Sequence, residues 1–179
     1  MSSSALPKPW RWIRNAGHNR ALVIATPGSS VKAQIGANYA ARLANLGFVT
    51  LAFDPSYQGQ SEGEPRDQEN PAARVEDIRC AAHFLMTLPF VAEDSLGLVG
   101  VCAGGGYAAS AASTDHRFKA LGTAQAMGVA DRDLLDAIDY YRTPRGYNAH
   151  STNRRYFTSL GPMLGFDAFQ LASFRAHLS

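Results

Sequence analysis

Gly100-Val101-Cys102-Ala103-Gly104 constrains this chain more than any other stretch. An apolar run, Leu96-Gly97-Leu98-Val99, leads into it. Gly105-Gly106-Tyr107-Ala108-Ala109, small residues that read as a helix start, leads out of it. Small residues flank the cysteine because the chain has to turn there from strand into helix within a few bonds. That turn lifts the central side chain above the sheet and aims it at the first helical turn, whose unpaired N–H groups and dipole favour a thiolate. A cysteine so placed is a candidate nucleophile toward an ester or thioester carbonyl, with an acyl-enzyme as the product. Its plainer reading is a small buried hydrophobe at a strand end.

The chain holds a second match to the same spacing. Gly59-Gln60-Ser61-Glu62-Gly63 carries serine at the centre, but it lies several residues beyond the apolar run Thr50-Leu51-Ala52-Phe53. Polar, proline-containing chain follows it (Glu64-Pro65-Arg66-Asp67-Gln68). No strand feeds directly into Ser61 and no helix leaves it. Ser61 is therefore expected in a loop, and Cys102 takes precedence.

Strand and helix patterns alternate along the chain. Ala21-Leu22-Val23-Ile24-Ala25 is followed by a helix predicted over about 32–46, with Ile35, Tyr39, Leu43 and Leu46 at helical spacing. A strand over 49–53 precedes a polar loop and a helix over about 71–88. In that helix Pro71 suits the first turn, and Val75, Ile78, Ala82 and Leu85 form the apolar stripe. A third strand spans Leu96 to Val101 and a fourth spans Ala120 to Ala124. Short, continuously apolar strands alternating with helices predict an α/β class: a three-layer α/β/α sandwich around a mainly parallel sheet. With 179 residues and 46% hydrophobic content, one domain is expected. Its parts are an N-terminal arm at 1–20, a core at 21–130 and a helical and loop tail at 131–179.

Composition removes some functions. A formal charge of +2 gives no reason to expect nucleic acid as a partner. No segment reaches the roughly 18 apolar residues of a membrane span, and Met1 to Arg20 has no apolar signal-like run. Cys80 and Cys102 make no disulfide framework, Cys80 reads as packing, and cytoplasmic residence is the expectation. Phosphate-cradling glycine motifs and metal-ligand spacings are absent, so no cofactor and no metal is expected. Gly104-Gly105-Gly106 at a helix start retains a capacity to bind an anion through backbone N–H groups.

Three segments together resemble bacterial α/β-hydrolases of the dienelactone-hydrolase-like group, over about residues 21–130. They are Pro27-Gly28-Ser29-Ser30-Val31-Lys32, the run from Phe53 to Gly63, and Gly100 to Gly106. The resemblance implies hydrolysis of a carboxylic ester, thioester or lactone, with Cys102 attacking and the backbone N–H groups of Ser29 and Ala103 holding the oxyanion. It makes the loop around Ser61 structural. It also places the second strand on one side of the first, and the third and fourth on the other.

The family triad runs nucleophile, acid, histidine, with the last two following further strands. After Ala126 no apolar strand is legible, so the core reads as truncated and the acid and histidine as missing. The segment from Asp131 to Ser159 is polar, and Phe166 to Leu178 reads as one amphipathic helix. Of five histidines, His18 and His83 precede Cys102, His116 falls at the wrong end of the fourth strand, and His177 lies near the C-terminus. His150 alone fits the order of a base. Asp131, Asp133, Asp136 and Asp139 read as a solvated helix face. Arg142, Arg145, Arg154 and Arg155, among Tyr140, Tyr141, Tyr147 and Tyr156, read either as a solvated cap or as a cluster for an acidic ligand. Lys8-Pro9-Trp10-Arg11-Trp12 reads as an arm packed on the core or as a tail. Two rivals to a hydrolase remain on the sequence alone: a non-catalytic binding or interaction module, and a thiol-reactive protein. An exposed edge at the fourth strand predicts self-association.

Overall fold

The structure is a computed structural model, and it describes residues 19–124, 140–141 and 143–169. Among the described residues four parallel strands form a sheet: β1 (Asn19–Ala25), β2 (Val49–Ala52), β3 (Val91–Val101) and β4 (Phe118–Ala124), in the order β2-β1-β3-β4. This is the order expected from the resemblance. Beyond β1 come a wide helical turn at Lys32–Gly36 and α1 (Ala37–Asn45). Helix α2 (Pro71–Met86) precedes β3, and α3 (Ala103–Thr114) follows it. A short 3-10 turn (Phe157–Ser159) runs into the five-residue α4 (Leu160–Leu164).

Burial explains the central strands. Ala21, Val23, Leu96 and Leu98 are almost wholly removed from water, where α2 and α3 cover β1 and β3. Helix α2 presents Val75, Ile78, Ala82 and Leu85 to that core, the stripe read from spacing. Its start is fixed by Asn70, whose side chain accepts from the N–H groups of Ala72 and Ala73, and by Pro71 in the first turn.

Five expectations need correction. Asn19 and Arg20 belong to β1 rather than to an arm. Strand β3 begins at Val91, five residues before the predicted start, because Asn19 pairs beside Val91. The helix predicted over 32–46 is broken at Gln34, whose backbone is not helical, and α1 buries none of its residues. Leu46, placed on the predicted stripe, is 75% exposed, and the buried residues of this stretch are Gln34 and Gly36. Gln34 turns inward because it serves two loops: Oε1 accepts from Val31 N–H at 3.1 Å, and Nε2 donates to the Gly146 carbonyl at 2.7 Å. The predicted tail helix is absent over 166–169, where Phe166 instead packs on Tyr107 with ring centres 5.3 Å apart. Cys80 is not packing: it lies exposed on α2 with Sγ 3.9 Å from Glu76 Oε1. The readings of Met1 to His18, of Asp131 to Asp139, of Arg142 and of 170–179 lie outside the described residues.

Candidate active site

Cys102 is the single residue between β3 and α3, with φ 55° and ψ −125°. That backbone region is sparsely populated for a side-chain-bearing residue and costs about 1–3 kcal/mol, which the surrounding packing must sustain. The flanking glycines show how. A Cβ on Gly100 would stand 2.5 Å from the Gly104 carbonyl oxygen, and one on Gly104 would stand 2.3 Å from the Ala25 carbonyl oxygen. Backbone occupies the space on both sides of the turn, so nothing larger than glycine fits. The Gly105 N–H closes the turn onto the Cys102 carbonyl at 2.9 Å. Cys102 is exposed above the sheet, at the head of a twelve-residue helix.

The loop after β1 meets the elbow directly. A Cβ at Gly28 would lie 3.6 Å from Ala103 Cβ, so the segments carrying Ser29 and Ala103 touch. Ser29 also has a left-handed backbone, with φ 57°. Its N–H, assigned to an oxyanion by resemblance, donates to Glu69 Oε2 at 3.1 Å.

Glu69 belongs to a buried charged group that the sequence reading did not single out. Its carboxylate is fully buried and lies 3.4 Å from Arg74 Nε, itself nearly inaccessible. Arg74 Nη2 donates to the Thr26 and Pro27 carbonyls, and the guanidinium stacks 5.1 Å from the centre of the Tyr107 ring. Burial, followed by the charge of Glu69, drives the Tyr107 hydroxyl well above the usual tyrosine range. A signal for Arg74 was available in the sequence. It stands four residues before Ile78, on the apolar stripe of α2, and a charge there requires a buried partner.

Two more residues reach the elbow from the C-terminal segment. Tyr141 is partly buried, and its hydroxyl is pushed up to about 12, mainly by burial, with the Ser30 hydroxyl opposing and the charges of Tyr140 and Cys102 adding to it. Arg155 Nη2 would come within 2.8 Å of a Cβ on Gly28. Within the cluster of arginines and tyrosines, Tyr140 and Tyr141 are half-buried, whereas Arg145, Arg154, Arg155, Tyr147 and Tyr156 are exposed.

The loop of the competing serine is a structural brace. Ser61 Oγ donates to the Asp54 carbonyl at 2.6 Å. The Asp54 carboxylate accepts from Lys32 N–H at 2.7 Å, Lys32 Nζ at 2.9 Å and Gln60 N–H at 3.0 Å. Burial pushes this carboxyl up, but the N–H groups of Gln60 and Lys32 and the Lys32 ammonium outweigh it and hold it below the ordinary value. His83 is exposed on α2, and His116 sits between α3 and β4, at the sheet edge opposite Cys102. His150 is exposed. Its backbone N–H donates to Asn148 Oδ1, and its ring makes no hydrogen bond among the described residues. His18 and His177 are outside the described residues. No group of three metal-ligating side chains occurs among the described residues, and no described helix is long and apolar enough to cross a membrane.

Comparisons with known proteins bear on the family and the fold. A family model described as Dienelactone hydrolase family matches residues 14–143. The uncharacterised protein YcjY of Escherichia coli K12 is 49% identical over 162 residues, covering 83% of this chain and 52% of YcjY. The crystal structure of hypothetical protein PA2218 from Pseudomonas aeruginosa superposes with a TM-score of 0.80 at 29% identity, covering 93% of this chain and 67% of that one. The α/β-hydrolase GrgF from Penicillium shares the fold, with a TM-score of 0.68 at 20% identity over 86% of this chain and 67% of GrgF. The chain spans about half the length of the curated relatives it matches.

Proposed function

This chain belongs to the dienelactone hydrolase family, and from that premise we propose that it hydrolyses a carboxylic ester, thioester or lactone through Cys102. The observation that carries the reading is the strained, glycine-walled backbone at Cys102, which exposes a sulfur at the head of α3. Such strain is retained where a side chain has to be presented. The N-terminal N–H groups of α3 favour negative charge on that sulfur. As thiolate, Cys102 Sγ forms a bond to the acyl carbon while the bond to the alcohol or thiol breaks, and the leaving group takes a proton from water. Water then cleaves the acyl-cysteine, releasing the acid and restoring the thiol. The Ala103 N–H, first in α3, faces the developing oxyanion, with Ser29 as its partner. The working compartment in this reading is the cytoplasm, where both cysteines stay reduced.

With no histidine bonded to Cys102 among the described residues, acylation outruns deacylation. Mixing with p-nitrophenyl acetate is expected to release one burst of p-nitrophenolate with little steady turnover, and intact mass should show one acetyl on Cys102. Cys102→Ala abolishes both. Sustained turnover lost in both Cys102→Ala and His150→Ala would instead place His150 in the relay. A burst that survives Cys102→Ala defeats the assignment.

A further inference from the structure

Gln34 is 1% exposed, and a buried amide has to satisfy both of its ends. Oε1 takes the Val31 N–H at 3.1 Å, in the manner of a capping box, where glutamate serves as well as glutamine. The donor end is what a glutamate lacks. Nε2 donates to the Gly146 carbonyl, 112 residues along the chain, at 2.7 Å, and lies 3.4 Å from Asn153 Oδ1. Gly146 sits in a tight turn, where its own N–H and that of Tyr147 both donate to the Thr143 carbonyl. The Tyr140 ring packs so close that a Cβ on Gly146 has no room. Asn38, four residues past Gln34, donates to the Tyr140 hydroxyl at 2.9 Å. Two side chains one helical turn apart therefore grip Tyr140 and Gly146. At its other end Gln34 holds Val31, in the loop whose Gly28 lies against Ala103 at the elbow. The C-terminal stretch approaches that loop a second time, with Ser151 Oγ 3.4 Å from the Ser29 carbonyl.

Resting on Cys102 as the nucleophile and on the loop from Gly28 to Val31 as one wall of the oxyanion site, we propose that Gln34 is a positioning residue. It ties that loop to the seat formed by Tyr140 and Gly146. The seat fixes the Gln34 amide, the amide fixes the Val31 N–H, and the loop keeps the place against α3 that acylation requires. Gln34 itself contacts no reacting atom.

The test compares acylation of Cys102 by p-nitrophenyl acetate, which forms an oxyanion, with its alkylation by iodoacetamide, which forms none. Gln34→Glu keeps an acceptor for Val31 but sets a carboxylate oxygen against the Gly146 carbonyl, so the cap survives and the tie breaks. A capping role alone predicts the parent's ratio of acylation to alkylation. The tie predicts a ratio about tenfold lower, the worth of a lost buried hydrogen bond. Tyr140→Ala empties the seat without touching the loop or the cap, and should lower the ratio about threefold. Circular dichroism shows whether each variant is folded. A folded variant of either kind with the parent's ratio overturns the proposal, as does one in which both rates fall together. If Gln34→Glu does not fold, Tyr140→Ala decides alone. A parent that gains its acetyl at a residue other than Cys102, or gains none, defeats the nucleophile assignment instead, which separates the two failures.

Discussion

At the residue scale, two side chains show how one backbone device serves different ends. Cys102 and Cys80 are both free and exposed, so accessibility does not distinguish them. Their surroundings do: Cys102 heads α3, whereas Cys80 lies within α2 beside the Glu76 carboxylate. Iodoacetamide at neutral pH should therefore label Cys102 the faster, as peptide mass spectrometry would read; equal or reversed rates would remove the helix-terminus argument. Asp54 is the structural counterpart. Its folded-state carboxyl is held below the ordinary value, so its contribution is full above the unfolded value near 3.9 and is lost as pH falls through the folded value. Asp54→Asn should lower stability by about 1–3 kcal/mol near pH 7. Urea midpoints from pH 7 to pH 2 should show that difference shrinking in acid; a constant gap would mean the ionised form is not what stabilises.

At the element scale, α3 is pressed onto β1 through glycine, while α2 is attached by its stripe and its cap. Gly104→Ala drives a methyl into the Ala25 carbonyl, where only backbone movement gives relief. Its cost should reach about 3 kcal/mol or more, with the Cys102 burst lost because the elbow is displaced. Asn70→Ala removes a cap from the Ala72 and Ala73 N–H groups and should cost only about 1 kcal/mol. A burst kept at full amplitude in Gly104→Ala would show that the close contact is dispensable. The elements themselves were largely legible. Apolar runs marked the four strands, and Asn70-Pro71 ahead of a 3.6-residue stripe marked α2. The stretch at 32–46 misled because Ile35, Tyr39, Leu43 and Leu46 keep helical spacing, while the break at Gln34 comes from bonds to Val31 and Gly146. One of those partners lies far along the chain, beyond what any local pattern records.

At the scale of the molecule, β4 is an outer strand of the sheet among the described residues. Lys119, Ala120, Leu121, Gly122 and Thr123 are all exposed, and Leu121 keeps 43% of its surface in water. An edge strand with unpaired N–H and C=O groups and apolar side chains is a template for another strand. We expect self-association that grows with concentration and is relieved by Leu121→Lys, read by light scattering after size exclusion. A monodisperse monomer at all concentrations would show that this edge is covered in solution.

By itself, the sequence determined the alternation of strands and helices, the elbow at Cys102 and the loop character of Ser61, because each follows from residues adjacent in the chain. Small residues at a turn, apolar runs and helical spacing act locally, and folding leaves them in place. The tertiary structure alone decided the charge setting of the site. Ser29 and Glu69 are forty residues apart, and Arg155 and Tyr141 arrive from a segment with no legible strand or helix. Whether a carboxylate occupies an N–H depends on distances within a few tenths of an ångström, and only the packing of β1, α2 and α3 sets those.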